Sequence, residues 1–189
     1  MRKIISGMFI TLDGVVEAPE KWNPPYYDDE MTQAVMGQIA AAGTHLYGRR
    51  SYELFRSVFT GPASGSIPHA QMMTSAPKVV VSTTLDRTDW GPTTLIGGDV
   101  AAELAKLKRQ PGGNISVGAS PTLVRFLLAE GLLDELRLLV HPVVSGAGKR
   151  LFDGFGDQVP LKLLESRSHG NGVVALHYTR ADEAHQDVP

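Results

Sequence analysis

The chain has 189 residues, a formal charge of −2 at neutral pH, 42% hydrophobic residues and no cysteine. That length supports one core-bearing domain hiding about 70% of the unfolded chain's surface, and the charge balance gives no global attraction to nucleic acid or to anionic membranes. The absent thiols exclude a disulfide framework, thiol catalysis, thiolate metal sites and a zinc deaminase module, which needs a Pro-Cys-x-x-Cys element.

A first strand is predicted over residues 3–11, ending in Leu12-Asp13-Gly14. Although Met1-Arg2-Lys3 is basic, Gly7 and Thr11 interrupt the apolar run that follows and no small-residue cleavage site appears. No window approaches the ~20 apolar residues of a membrane span, so a cytoplasmic protein is expected. A helix is predicted over 28–42, then a strand over 44–47 that breaks at Gly48 into a helix over 49–58. The Gly-, Pro- and Ser-rich stretch 60–68 is a surface loop. Strands over 78–82, 93–96 and 114–118 alternate with helices over 99–109 and 121–130, the order of βαβ units.

From Asp134 onward only strands are predicted. Leu136, Leu138 and Val140 alternate with Glu135, Arg137 and His141, and β runs over 161–168 and 173–179 flank His169-Gly170-Asn171-Gly172. Asn-Gly between β runs is the strongest short hairpin signal. Leu136, Leu138, Leu139 and Val140, with the strands that follow, offer more apolar β surface than one sheet face requires, so a homodimer is expected. Residues 1–180 form one domain, and the polar stretch 181–189 is a tail.

Four strand ends carry the chemistry. Gly48-Arg49-Arg50-Ser51 places a glycine, two guanidiniums and a hydroxyl at a helix start, where unpaired N–H groups and the helix dipole favour an anion. Forked guanidinium donors match phosphate oxygens. Lys78-Val79-Val80-Val81 runs into Ser82, Thr83 and Thr84, hydroxyls at the strand edge where open α/β sheets bind ligands. Val117-Gly118-Ala119-Ser120-Pro121-Thr122 is a second strand running into a helix start, with Ser at the N-cap and Pro at the first helical position. The first strand ends at Asp13. Other chemistries fail on spacing. Val143 and Arg150 stand where a Walker loop needs Gly and Ser or Thr, the six histidines lack i, i+4 pairing and so suggest no metal site, and Ser64 is not in a Gly-x-Ser-x-Gly elbow.

Taken in order, Leu12-Asp13-Gly14, Gly48-Arg49-Arg50-Ser51-Tyr52-Glu53, Val81-Ser82-Thr83-Thr84-Leu85, Val117-Gly118-Ala119-Ser120 and the run from Gly131 to Phe152 resemble the dihydrofolate reductase-like superfamily. The closer resemblance is to the reductase domain of the bifunctional riboflavin-pathway deaminase–reductase. The resemblance implies a single-domain α/β fold, with a mostly parallel central sheet flanked by helices and a C-terminal antiparallel hairpin. It also implies NADPH as cofactor. Arg49, Arg50 and Ser51 at Gly48 would hold the 2′-phosphate and pyrophosphate, Ser82 and Thr83 the adenosine ribose phosphate, and Gly118, Ala119, Ser120, Pro121 and Thr122 would lie under the pyrophosphate.

On the substrate side, folate reductases carry Trp-Asn-x-Pro followed after one residue by an acid. Here Trp22-Asn23-Pro24-Pro25-Tyr26-Tyr27-Asp28 puts Tyr27 at that position and the acid one residue later. A shift of one residue on a helix turns a side chain by about 100°. Asp28 and Asp13 are the candidate catalytic acids; Asp28 also suits a helix first turn, and Asp13 a polar turn. Trp22, Tyr27 and Tyr52 are candidate substrate contacts. The resulting expectation is an NADPH-dependent reductase of a small heterocyclic molecule, of the phosphoribosylaminouracil reductase type. Dihydrofolate reduction and a non-catalytic NADPH-binding module are the alternatives.

Overall fold

The computed structural model describes residues 1–67 and 69–181, so the tail expected over 181–189 lies, apart from Ala181, outside the described residues. Eight strands, β1 (Ile4–Thr11), β2 (Ala42–Gly48), β3 (Lys78–Val81), β4 (Thr93–Ile96), β5 (Asn114–Gly118), β6 (Glu135–His141), β7 (Leu161–Ser168) and β8 (Val174–Arg180), form one sheet in the order β4-β3-β2-β5-β1-β6-β8-β7. The pairings from β4 to β6 are parallel, whereas β8 runs antiparallel to both β6 and β7. The expected α/β architecture with its closing hairpin is therefore present. Its turn is longer than Asn-Gly alone, spanning residues 169–173, with Gly172 at φ +86°.

Among the described residues five α-helices connect the strands: α1 (Asp29–Ala40), α2 (Arg49–Thr60), α3 (Ala70–Ser75), α4 (Val100–Arg109) and α5 (Pro121–Ala129). The short α3 was not expected. Its Ala70 and Met73 are buried against the sheet side that carries α2, a tertiary contact with no local periodicity to announce it.

Alternation along the strands divides the interior. Ile4, Met8 and Ile10 of β1 face the same layer as Leu46, Val117 and Leu136, and pack with Leu104 of α4 and Val124 and Leu127 of α5. On the opposite face Tyr47 and Val80 meet Tyr52 of α2, Met73 of α3 and Trp90. Lys78 Nζ sits 4.5 Å from the Trp90 ring centroid and donates to the carbonyls of Thr74 and Ala76. Leu136 and Leu138 are buried in the chain's own core, Val140 packs partly buried against it and Leu139 lines a cleft on the other face, whereas Leu163 and Leu164 of β7 stay about half exposed. No helix among the described residues is long and apolar enough to cross a membrane.

His45 on β2 is 5% exposed. Burial, reinforced by the charge of Lys78, lowers its pKa to about 4. The unfolded chain, with a histidine pKa near 6.5, therefore binds the extra proton first as pH falls. The contribution of a neutral His45 is complete above about pH 6.5 and is lost on acidification towards pH 4, by on the order of 3 kcal/mol. Urea denaturation at pH 7, 5.5 and 4.5 should show a steeper loss of stability in the parent than in His45→Gln.

Candidate functional site

Neighbouring parallel strands β2 and β5 end at the same edge of the sheet, so the helices that follow them, α2 and α5, start side by side. One chain of hydrogen bonds joins the two starts. The Gly48 N–H donates to Ser120 Oγ (3.1 Å), Ser120 donates to Ser51 Oγ (2.7 Å), and Ser51 donates to the Ala119 carbonyl (2.6 Å). Both hydroxyls are buried.

Neither helix has a side-chain cap, because the N-cap of α2 is Gly48 and the N-cap hydroxyl of α5, Ser120, is engaged with Ser51; α1 and α4, in contrast, are capped by Asp28 and Asp99 at Met31 and Ala102. The first-turn N–H groups of α2 and α5 thus converge uncapped, a donor set suited to an anion. Ala119 takes the left-handed conformation (φ +52°), shared among non-glycine residues described only by Ala18 (φ +50°). Both line the cleft, and such strain concentrates at ligand sites. A methyl group on Gly118 would meet no atom within 4 Å, so the backbone there is open to the cleft.

The cleft has a volume of about 1860 Å³. That exceeds the roughly 300–1,000 Å³ of an ordinary small-ligand pocket and leaves room for two ligands. Gly48, Arg49, Arg50, Ser51 and the stretch from Gly118 to Leu123 form one end. Arg125 adds a cation there, held by the Asp153 carbonyl. Its floor crosses β1 at Gly7, where a Cβ would lie 2.6 Å from the Gln38 side-chain amide of α1, so glycine there leaves room for that amide against the sheet. Val16, Ala18, Tyr27 and Leu54 supply apolar wall, and Arg137, Glu165, Arg167 and His177 form the far end.

The sequence-predicted residues divide sharply. Gly48 to Ser51 and Gly118 to Thr122 are brought together. Ser82 and Thr83 are not in the lining; Ser82 Oγ instead accepts the N–H groups of Thr84 and Leu85 in the turn after β3, and Val81 reaches the cleft. Tyr52 is a core residue rather than a substrate contact, with its side chain 1% exposed and its hydroxyl accepting the Trp90 N–H at 3.0 Å. Trp22 also stands outside the lining, its Nε1 donating to the Glu17 carbonyl and its ring edge-on to His141 at 5.1 Å. Tyr27 does line the cleft, edge-on to Phe9.

Neither candidate acid faces the cleft. Asp13 accepts hydrogen bonds from the Thr11 hydroxyl and from the N–H groups of Ser145 and Gly146, and Arg150 Nε donates to its carbonyl oxygen. The Thr11 hydroxyl and those two backbone donors hold the Asp13 carboxyl well below the usual carboxylate range. It is a permanent anion that latches the 145–146 turn to the end of β1, unsuited to giving a proton. Asp28 caps α1 through Met31 N and accepts from Asn171 Nδ2 at 3.0 Å, tying the helix to the β7–β8 turn.

Several lining residues were not anticipated: Gly7, Asn23, Arg137, Lys149, Arg150, His169 and His177. Arg137 and His177 occupy alternate positions of strands, a signal that marks a face without saying whether it meets solvent or a cleft. Asn23 Oδ1 lies 2.8 Å from His141 Nε2, and the other ring nitrogen of this fully buried histidine contacts the Leu139 carbonyl. Burial lowers the His141 pKa, favouring the neutral ring.

Comparison with known proteins places this geometry among relatives. Residues 2–175 match the RibD C-terminal domain family. The chain is 31% identical over 182 residues to the uncharacterized protein YyaP of Bacillus subtilis, covering 94% of each. It is similar in structure to the diaminohydroxyphosphoribosylaminopyrimidine deaminase/5-amino-6-(5-phosphoribosylamino)uracil reductase of Thermotoga maritima, with TM-score 0.68, 13% identity, and 95% of this chain and 57% of that one covered. Dihydrofolate reductase of Enterococcus faecalis, solved with NADP(H), gives TM-score 0.62 at 14% identity, covering 95% and 97%. At such identities the two structures show the shared fold.

Two expected outcomes separate structural from ligand-facing groups. Tyr52→Phe leaves the buried Trp90 N–H unpaired and should cost about 1–3 kcal/mol in denaturant titrations while leaving dinucleotide affinity unchanged. Asp13→Asn should speed amide exchange at Ser145 and Gly146, read by hydrogen–deuterium exchange, more than it changes dinucleotide binding.

Proposed function

The chain belongs to the RibD C-terminal domain family, and from that premise we propose that it is an NADPH-dependent reductase of a small heterocycle of the ribosylaminopyrimidinone class. The observation that carries this reading is the pair of uncapped helix starts, α2 and α5, opening with Arg49 and Arg50 into a cleft of about 1860 Å³. That donor set fits a dinucleotide. Backbone N–H groups after Gly48 and after Ser120 would hold the pyrophosphate, Gly118 lets it approach, and the guanidiniums of Arg49 and Arg50 would take the 2′-phosphate. Bound there, NADPH supplies hydride; the protein supplies orientation and electrostatic field.

Arg49 Nη1 lies 3.3 Å from Glu53 Oε1 on an exposed helix turn, a weak pairing that a phosphate can displace. Arg49→Ala should weaken NADPH binding about ten- to hundredfold, the range for a lost charge-assisted hydrogen bond of about 1.5–3 kcal/mol, and leave NADH nearly unaffected. Fluorescence titrations of both nucleotides check this, and equal affinity of the parent for the two would contradict it.

The substrate end argues against dihydrofolate. Protonation of a pterin needs a carboxyl group at its ring, with geometry that tolerates little misplacement, and here Tyr27 lines the cleft while Asp28 caps α1. Turnover of dihydrofolate should be negligible beside that of the ribosylaminopyrimidinone in steady-state assays. Robust dihydrofolate turnover that collapses in Asp28→Asn would reverse this ranking. The engagement of both Asp13 and Asp28 in structural contacts favours a second reading, a module that binds NADPH without turnover. NADPH binding with no oxidation across pterins and pyrimidinones would select it.

A further inference from the structure

The floor of the cleft carries a cross-strand row of side chains that the dinucleotide seat does not use. The registers Gly7↔Gly118, Gly7↔Arg137, Arg137↔His177 and Glu165↔His177 set these residues side by side across β5, β1, β6, β8 and β7, and all of them line the cleft. Gly118 leaves the floor bare near the helix starts, and the Gln38 amide lies over Gly7. Two strand spacings from Gly7, about 10 Å, the row reaches His177.

Behind His177 lies Glu135, whose side chain is 8% exposed. Its Oε1 accepts from Lys3 Nζ at 2.8 Å, and its Oε2 accepts from Arg137 Nη2 at 2.8 Å and meets His177 Nε2 at 2.9 Å. Burial opposes ionisation of Glu135, but the hydrogen bonds and charges of Lys3 and Arg137 outweigh it and bring its pKa down to about 2. An ionised carboxylate only accepts hydrogen bonds. Nε2 of His177 therefore carries hydrogen whether the ring is charged or neutral, and the proton that comes and goes is the one on Nδ1. Among the described residues Nδ1 has no hydrogen-bond partner, and it is not among the polar atoms sealed from solvent.

We propose that His177 is the proton donor of the reduction, its Nδ1–H facing the heterocycle in the cleft while Glu135 acts as the positioning residue that fixes the ring and its tautomer. The inference rests on the reductase reading above. The group reduced is a polarised C=N or C=O bond whose carbon receives hydride. Its π pair moves to the nitrogen or oxygen, which takes the Nδ1 proton, and the imidazolium becomes a neutral ring that regains a proton from water. The charged groups around His177 are Glu135 and Arg137 of β6, Glu165 of β7 and, through Glu135, Lys3 before β1. The carboxylate fixes the orientation and tautomer of the ring, as carboxylates do for the histidines they orient.

His177→Gln tests this, because its amide nitrogen can still donate to Glu135 but holds no titratable proton. With phosphoribosylaminouracil as substrate, kcat for NADPH oxidation should fall about 10²–10⁴-fold. The alkaline limb of the kcat–pH profile should vanish, and the NADPH dissociation constant from fluorescence titration should stay within about threefold. Independently of turnover, ¹⁵N NMR of the ligand-free parent, with His177 assigned by comparison with the variant, should show a neutral ring protonated at Nε2 and titrating at Nδ1. A neutral ring protonated at Nδ1, or a variant that keeps both its kcat and its alkaline limb, overturns the proposal and leaves the reductase reading standing. A parent that binds NADPH but oxidises none with this substrate overturns the reductase reading and the proposal together, whatever the tautomer.

Discussion

Two buried hydroxyls, those of Ser51 and Ser120, decide what the ends of β2 and β5 can do. Each both donates and accepts, in a sequence that runs from the Gly48 N–H through Ser120 and Ser51 to the Ala119 carbonyl. Every bond in such a chain polarises the next. The arrangement locks α2 and α5 together at their starts, and it leaves no side chain to cap either helix. At α5 the N-cap serine that would satisfy first-turn N–H groups in an ordinary helix is turned sideways to build the joint, and at α2 the N-cap is Gly48, with no side chain to offer. The orphaned donors are the seat proposed for the pyrophosphate, and the carbonyl of the left-handed Ala119 accepts the Ser51 hydroxyl's hydrogen bond.

Around that joint three carboxylates, Asp13, Asp28 and Glu135, are held out of the cleft. Asp13 is locked into the 145–146 turn, Asp28 caps α1, and Glu135 lies beneath Lys3, Arg137 and His177. Cations outnumber acids on the cleft surface, with Arg49, Arg50 and Arg125 at one end and Arg137 and Arg167 at the other, against Glu17, Glu20 and Glu165. A chain of net charge −2 thereby presents a basic cavity. Anionic ligands are favoured locally without any general affinity for polyanions.

How much of this was legible depended on whether the signal was local. Strand alternation, the Gly48 break and Ser120-Pro121 at a helix start are all short-range patterns, and they located β2, α2, β5 and α5 within a few residues. The roles of individual side chains depended on partners far along the chain. Tyr52 looked like a site residue by its place beside Arg49 and Arg50, yet the helix turns it inward to Trp90, 38 residues away. Ser82 was identified as a strand-end hydroxyl, but local N–H groups of its own turn claimed it. Asp13 reads as an acid at a strand end, and only the approach of Ser145 and Gly146 shows that its lone pairs are taken. His177 and Glu135 become neighbours only through the antiparallel register of β6 and β8, which no spacing in the sequence encodes.

The central claim is that the two uncapped helix starts form a single pyrophosphate seat. Titrating the ¹⁵N-labelled protein with NADP⁺ and following backbone amide shifts tests it most directly. The account predicts saturable shifts, largest at the amides of Arg50 and Ser51 in α2 and of Ala119, Thr122 and Leu123 around the start of α5, moving together with one dissociation constant. Shifts confined to one of the two helices, or saturable binding that leaves both starts unperturbed, would contradict it.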